Sequence, residues 1–249
     1  MENKAQVKVT YADADHPKII EIARQKCTPD TSLREKFIAL FRFVRDDIPF
    51  GFPPVWDYVT ASETLDYGVG YCNTKSILLQ ALCQAAGIPV KLRAGKIDTR
   101  VMKHIFPNWA FPFLPSGASH MWISVALEDG WHEVDAHIID QALFVASKDM
   151  LLKDKGLKFG YGLGPVDPDC EGDWDQGFVQ TGALLEDYGK WNEAADFYAS
   201  KNYQPLNWFH TLTMPMVRGV SNRTIVAFRN YGYSLLHKKQ ERSQYQHIA

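Results

Sequence analysis

Leu33, Phe37, Leu40, Phe41, Val44 and Ile48 recur at three- and four-residue intervals, the apolar stripe of an amphipathic helix. Ser32-Leu33-Arg34-Glu35 has capping-box spacing, so this first helix is placed to begin at Ser32. The period then breaks over residues 49–71, PFGFPPVWDYVTASETLDYGVGY, which predicts an irregular connection carrying a short helix near residues 61–65. Helical spacing returns from about Cys72 to Ala86, with Gly87 as a left-handed cap and Pro89 blocking continuation. Val90, Leu92 and Ala94 next alternate with Lys91 and Arg93, the pattern of a half-buried strand.

Residues 98–119 hold Ile105, Phe106, Trp109, Phe111, Phe113 and Leu114, more apolar surface than a solvated loop carries. Cover over a cleft and packing against the core are both compatible with it. Two further strands, residues 120–127 and 131–137, are joined at Glu128-Asp129-Gly130, a hairpin signal. In the C-terminal third, GALLEDYGKWNEAADFYAS (residues 182–200) reads as helical, the apolar LNWFHTLTMPMV follows, and the polar HKKQERSQYQHIA is expected to fray.

With 249 residues, 46% of them hydrophobic, the chain can bury a full core. No repeat or long linker divides it, so the expected organisation is a core over residues 1–147 with a partly helical extension over 148–249 packed on it. A formal net charge of -2 without a Lys/Arg cluster argues against nucleic acid and anionic membrane as partners. The polar opening MENKAQVKVTYADADHPK lacks the apolar stretch of a secretion signal, and Arg42 interrupts FIALFRFV, so a cytoplasmic location is expected. Cys27, Cys72, Cys83 and Cys170 are too sparse for a disulfide framework and form no CxxC pair. Cys72 and Cys83 lie about 16 Å apart on one predicted helix, beyond disulfide reach. Free thiols are therefore expected, with no cofactor and no metal. Nothing in the pattern addresses oligomeric state.

Candidate chemistry begins at Cys72, which falls where the second long helix starts. Unpaired N–H groups and the partial positive charge of a helix N-terminus favour a thiolate, and the backbone N–H can face an oxyanion. The competing reading is a space-filling thiol, as Cys83 is taken to be on the apolar side of the same helix. The later SHMWISVALEDGWHEVDAH offers His120 as a proton acceptor and donor and Asp135 to fix its tautomer. A four-residue loop, Ala126 to Asp129, would set Val125 opposite Gly130 and His120 opposite Asp135, with Cβ atoms about 5 Å apart. A two-residue Asp129-Gly130 turn would instead pair Asp135 with Ser124 and leave His120 about 13 Å along the strand. Both registers stay open at this level.

The string TASETLDYGVGYCNTKSILLQALCQAAGIPVKLRAG, followed by SHMWISVALEDGWHEVD, resembles the transglutaminase-like superfamily. The shared order is a Cys motif opening a helix, an AAGIP helix end, a His-aromatic strand, then Gly-Trp and a strand ending in Asp. The likeness spans roughly Ser32 to Asp135. It implies an α+β, papain-like core with the Cys-bearing helix packed on an antiparallel sheet, followed here by a mostly helical C-terminal extension. It also implies Cys72 as nucleophile, His120 as general base and acid, and Asp135 as orienting carboxylate. Members place an aromatic donor to the oxyanion upstream of the Cys helix, which makes Tyr58 and Trp56 candidates; Trp122, on the His strand, is a third candidate for substrate contact. Asn73 and Thr74 stand where animal transglutaminases carry Trp and Val, and the chain has no room for the flanking β domains and calcium sites of those enzymes.

The expected activity is thus a thiol-dependent amide hydrolase or peptidase acting on a peptide, protein or small amide. Acyl transfer to an amine is the alternative, and a non-catalytic binding module a further one. Glu133, Asp135 and His137 would share a strand face with metal-ligand chemistry, although alternating polar residues on an open sheet face explain them equally.

Overall fold

The computed structural model describes residues 10–176, 178–205 and 208–246. Its centre is helix α4 (Cys72–Ala85), buried on nearly every side, with α1 (Pro17–Lys26), α2 (Leu33–Arg42) and α3 (Ala61–Tyr67) on one flank. An antiparallel sheet of four strands, in the order β3-β2-β1-β4, closes the other. Its strands are β1 (Val90–Asp98), β2 (Gly117–Leu127), β3 (Gly130–Val134) and β4 (Leu184–Trp191). The fold is α+β.

Local signals act as the pattern implies in this half. Ser32 caps α2 in a reciprocal box with Glu35, and Phe37, Leu40, Phe41, Val44 and Ile48 are all buried. Thr60 and Glu63 cap α3 in the same way, and Gly68 ends it at a φ of 63°. Helix α4 carries polar residues inward, and each has somewhere to put its hydrogen bonds. Lys75 Nζ donates to the Arg45 carbonyl (3.1 Å), Ser76 Oγ to the Met121 carbonyl (2.9 Å) and Gln80 Nε2 to the Asn192 carbonyl (2.7 Å). These bonds offset the cost of burying polar groups and tie the helix to its surroundings at three points.

The C-terminal third departs from its sequence pattern. LLEDYGKW, read as helical, is β4, paired antiparallel with β1; the α-helix in that segment is the short α6 (Ala194–Tyr198). The unpaired edge of β1 recruits it, which no local propensity reports. Gly95 permits the approach, because a Cβ there would come within 2.6 Å of the Glu186 carbonyl. Arg93 then locks the sheet across its width, pairing with Glu133 of β3 and Asp187 of β4 and lying over the Trp122 ring at 5.3 Å.

Helix α5 (Gln141–Lys153) runs through residues 147 and 148, where a core and an extension were expected to divide, and β4 belongs to the core sheet. The long α7 (Trp208–Gln246) packs along α5 at Gly232, where a Cβ would overlap the Ala142 carbonyl. Arg229 of α7 pairs with buried Asp140 (2.8 Å), which also accepts from the Phe50 amide (3.0 Å) and caps α5. The polar stretch expected to fray continues α7 to Gln246, and the last three residues lie outside those described. Among the described residues, no helix is long and apolar enough to cross a membrane.

Candidate active site

Gly70 and Tyr71 set the start of α4. A Cβ on Gly70 would lie 2.8 Å from Thr74 Oγ1, which accepts from the Tyr71 amide at 3.0 Å, so the chain turns into the helix with the Gly70 backbone pressed against its first turn. Cys72 follows as the first helical residue, half-buried, its sulfur 3.5 Å from Asn73 Oδ1 and 4.0 Å from the Ser119 carbonyl. The remaining cysteines are free as well.

The helix N-terminus does not make Cys72 a ready thiolate. Burial pushes the thiol up to about 12 and the Asp57 charge adds to it; the amides of Met121, Asn73 and Cys72 itself offset this only in part. Asp57 sits close because Asn73 Nδ2 holds its carboxylate at 2.8 Å, with the hydroxyls of Tyr71 (2.6 Å) and Tyr203 (2.9 Å) completing the cluster. Sequence reading passed over this carboxylate, since its charge acts on Cys72 only through the folding of residues 57 and 73 together.

His120 projects from β2 opposite Gly95 of β1 and its ring is fully buried, stacked on Trp122 at 5.7 Å. Neither ring nitrogen has a hydrogen-bond partner among the described residues. Burial pulls the imidazole down to about 3, so it rests neutral. Cys72 and His120 line one cavity of about 120 Å³ together with Phe50, Phe52, Trp56 and Phe106.

Asp135 makes no hydrogen bond to His120. Its carboxylate accepts four hydrogen bonds from one turn of the later chain: the amides of Val179 (2.7 Å), Gln180 (2.7 Å) and Thr181 (2.8 Å) and the Thr181 hydroxyl (2.8 Å). The hairpin register explains the difference. Leu127 pairs with Gly130 and Ile123 with Val134 around a two-residue Glu128-Asp129 turn, which is neither expected register. Continued by one step, that ladder sets Asp135 beside Trp122 rather than His120.

The other candidates separate in the same way. Trp56 lines the cavity beside Cys72, its ring stacked on Phe52 at 4.7 Å. Tyr58 lines a neighbouring hollow with Pro54 and Arg218 and is not in the wall of the Cys72 cavity. Trp122 is buried against the His120 ring with its indole N–H on Glu133 (3.1 Å) and is not in the wall of the Cys72 cavity. Glu133, Asp135 and His137 part company too: His137 turns inward to Ser76 Oγ at 2.9 Å, and among the described residues no group of His, Cys, Asp and Glu is placed to hold a metal ion. Gln180, which no local motif marks, reaches the cavity because Asp135 holds its backbone.

A cysteine at the head of a buried helix and a histidine on an antiparallel sheet thus line one cavity of an α+β fold, with no hydrogen bond between them. Residues 20–136, just under half of the chain, match the model of the transglutaminase-like superfamily. Members of that superfamily are typically cysteine enzymes, so at family level the match supports a cysteine-based hydrolase or acyltransferase. A 1.9 Å crystal structure of a Cytophaga hutchinsonii protein, provisionally named a cysteine protease, is similar with a TM-score of 0.45 and 14% identity. The similarity covers 76% of this chain and 46% of that one, so the chain spans less than half of that protein's length. Comparison with curated proteins returns no match.

The raised thiol carries a direct expectation for alkylation. Iodoacetamide reacts with the thiolate, so labelling of Cys72 should climb about tenfold per pH unit through pH 9, with no plateau near neutrality. Labelling followed by peptide mass spectrometry between pH 6 and 10 checks this. A plateau below pH 8 would show a thiolate–imidazolium pair in place of the neutral pair.

Proposed function

We propose that the protein is a thiol-dependent amide hydrolase or peptidase that works through a thioester on Cys72, with His120 as the proton carrier. The observation that carries this reading is the pairing, in one cavity wall, of a half-buried thiol with a fully buried imidazole whose nitrogens are both unpartnered. A buried imidazole left without hydrogen bonds costs on the order of 1–3 kcal/mol, the kind of cost found where a group is reserved for a reacting partner.

Thiol and imidazole both rest neutral, so the proton moves as the substrate is attacked. Cys72 Sγ bonds to the carbonyl carbon while its proton passes to His120. The backbone N–H of Cys72 and Trp56, in the same cavity wall, are the groups this reading assigns to the developing oxyanion. Collapse breaks the C–N bond, and the amine leaves with the proton from His120. Water then attacks the thioester with His120 again taking a proton, releasing the acid and restoring the thiol. In this scheme Asp135 supports the 179–181 turn and takes no part in orienting the imidazole.

A polar trough of about 250 Å³, lined by Asp57, Asn73, Lys96, Asn202 and Gln204, shares Tyr71 and Ser119 with the wall of the Cys72 cavity and is the side assigned to water in this reading. A second reading is acyl transfer to an amine admitted from that trough, which Asp57 and Lys96 both line. The substrate is a peptide, protein or small amide in either case, and a cytoplasmic setting is part of the proposal. Intact mass after incubation with activated acyl esters, followed by peptide mapping, tests it. An acyl adduct on Cys72 that decays in water, faster with an added amine if transfer operates, is expected; an unmodified Cys72 with every ester would leave a binding module.

A further inference from the structure

The wall of the Cys72 cavity is apolar to an unusual degree for a site meant to hold an amide. Besides Cys72 and His120 it is built from Phe50, Phe52, Trp56, Ile97, Met102 and Phe106, with Leu114 and Val101 between them. Few polar groups reach it, and three of them are already engaged. Tyr71 Oη donates to the Trp56 carbonyl and Asp57, Thr99 Oγ1 to the Pro115 carbonyl at 2.7 Å, and Gln180 Nε2 to the Gly162 carbonyl at 2.7 Å. Cys72 and His120 are committed to the reacting carbonyl. A polar substituent entering the cavity would therefore give up water for a wall that is largely apolar, with Ser119 and the Trp56 indole as its few further polar groups.

From this lining we infer that the acyl group accepted by Cys72 is apolar and about the size of a phenyl ring or a short branched alkyl chain. This rests on the proposed thioester reading and specifies its substrate class. Size agrees: an apolar protein cavity of about 150 Å³ binds benzene, and this one measures about 120 Å³. The apolar cavity takes the acyl chain, while the neighbouring trough with Asp57, Asn73, Lys96 and Gln204, which shares Tyr71 and Ser119 with the cavity wall, takes the leaving amine and the incoming water. The aromatic rings offer edge and face contacts to a flat acyl substituent, with Phe52 stacked on Trp56 and tilted against Phe106 at 5.3 Å.

The test compares p-nitrophenyl esters of acetic, phenylacetic and 4-pyridylacetic acid, each rate normalised to its hydroxide-catalysed hydrolysis. In each, the Cys72 sulfur bonds to the carbonyl carbon, the C–O bond breaks and p-nitrophenolate leaves. The phenyl and pyridyl esters have the same shape and differ by one buried acceptor, so phenylacetyl should acylate Cys72 at least about tenfold faster than 4-pyridylacetyl and faster than acetyl. Met102→Gln, and separately Leu114→Gln, at half-buried positions of the wall, should shift the phenyl-to-pyridyl ratio toward pyridyl by supplying a donor.

A binding arm separates this inference from the reaction itself. In Cys72→Ala protein, phenylacetamide should bind at least about tenfold tighter than 4-pyridylacetamide by calorimetry. That preference in protein whose wild-type form no ester acylates would sustain the apolar site and sink the hydrolase reading. Equal rates for the three esters, equal binding of the two amides, or no binding of either overturns the apolar-acyl inference.

Discussion

Cys72→Ala is expected to lower turnover of any amide or ester substrate by on the order of 10⁴-fold or more, and His120→Ala by a similar factor. The two side chains carry one proton and one bond between them, so the double variant should lose scarcely more than either single one. Non-additivity of this kind is what distinguishes a reacting pair from two independent contacts. Stability supplies the control. Cys72 is half-buried at the cavity edge, so its truncation should leave the melting temperature nearly unchanged, whereas Cys83→Ala, at a fully buried site, should cost about 1 kcal/mol or more. Single-turnover rates and thermal melts of the four variants decide it. Retained activity together with a lowered melting temperature in Cys72→Ala would make Cys72 a structural thiol.

Asp135→Asn should act chiefly on stability. The carboxylate is wholly buried and takes three amide N–H groups and one hydroxyl. An Asn side chain presents an NH₂ group to some of those donors, leaving them buried and facing another donor, at a cost of about 3–5 kcal/mol. Thr181→Val removes one of the four bonds and should cost about 1 kcal/mol. Activity should fall as well, because the turn that Asp135 holds places Gln180 in the cavity wall. Urea unfolding of both variants gives the stability terms. A variant with unchanged stability and a severe loss in kcat alone would restore Asp135 to the role of orienting the imidazole.

That second prediction exists because a strand register was not readable from its ends. Glu128-Asp129-Gly130 marks a hairpin plainly, yet a shift of one or two residues in the turn moves Asp135 along the strand relative to His120. Side-chain packing of the hairpin against α4 selects the register, and that packing involves residues far apart in the chain. The same holds for charge. A helix N-terminus on its own favours a thiolate, but the burial supplied by the cavity walls and the Asp57 charge outweigh it.

What the chain determined locally was the framework of its first half. The capping boxes at Ser32 and Thr60, the apolar stripe of α2, the cysteine at the head of α4, the Gly87 stop and the alternation that begins β1 each rest on neighbours within a few residues. Helix α1 lacks a comparable stripe, with only Ile19 and Ala23 buried, and went unmarked. Only the tertiary structure decided that residues 184–191 extend the sheet, that Asp135 serves the 179–181 turn, and that Asp57 and Gln180 reach the neighbourhood of Cys72. The physical reason is common to all three. An open strand edge, a buried carboxylate and a cavity wall are each completed by whichever distant segment satisfies them, and that choice is made by the energy of the whole packed chain.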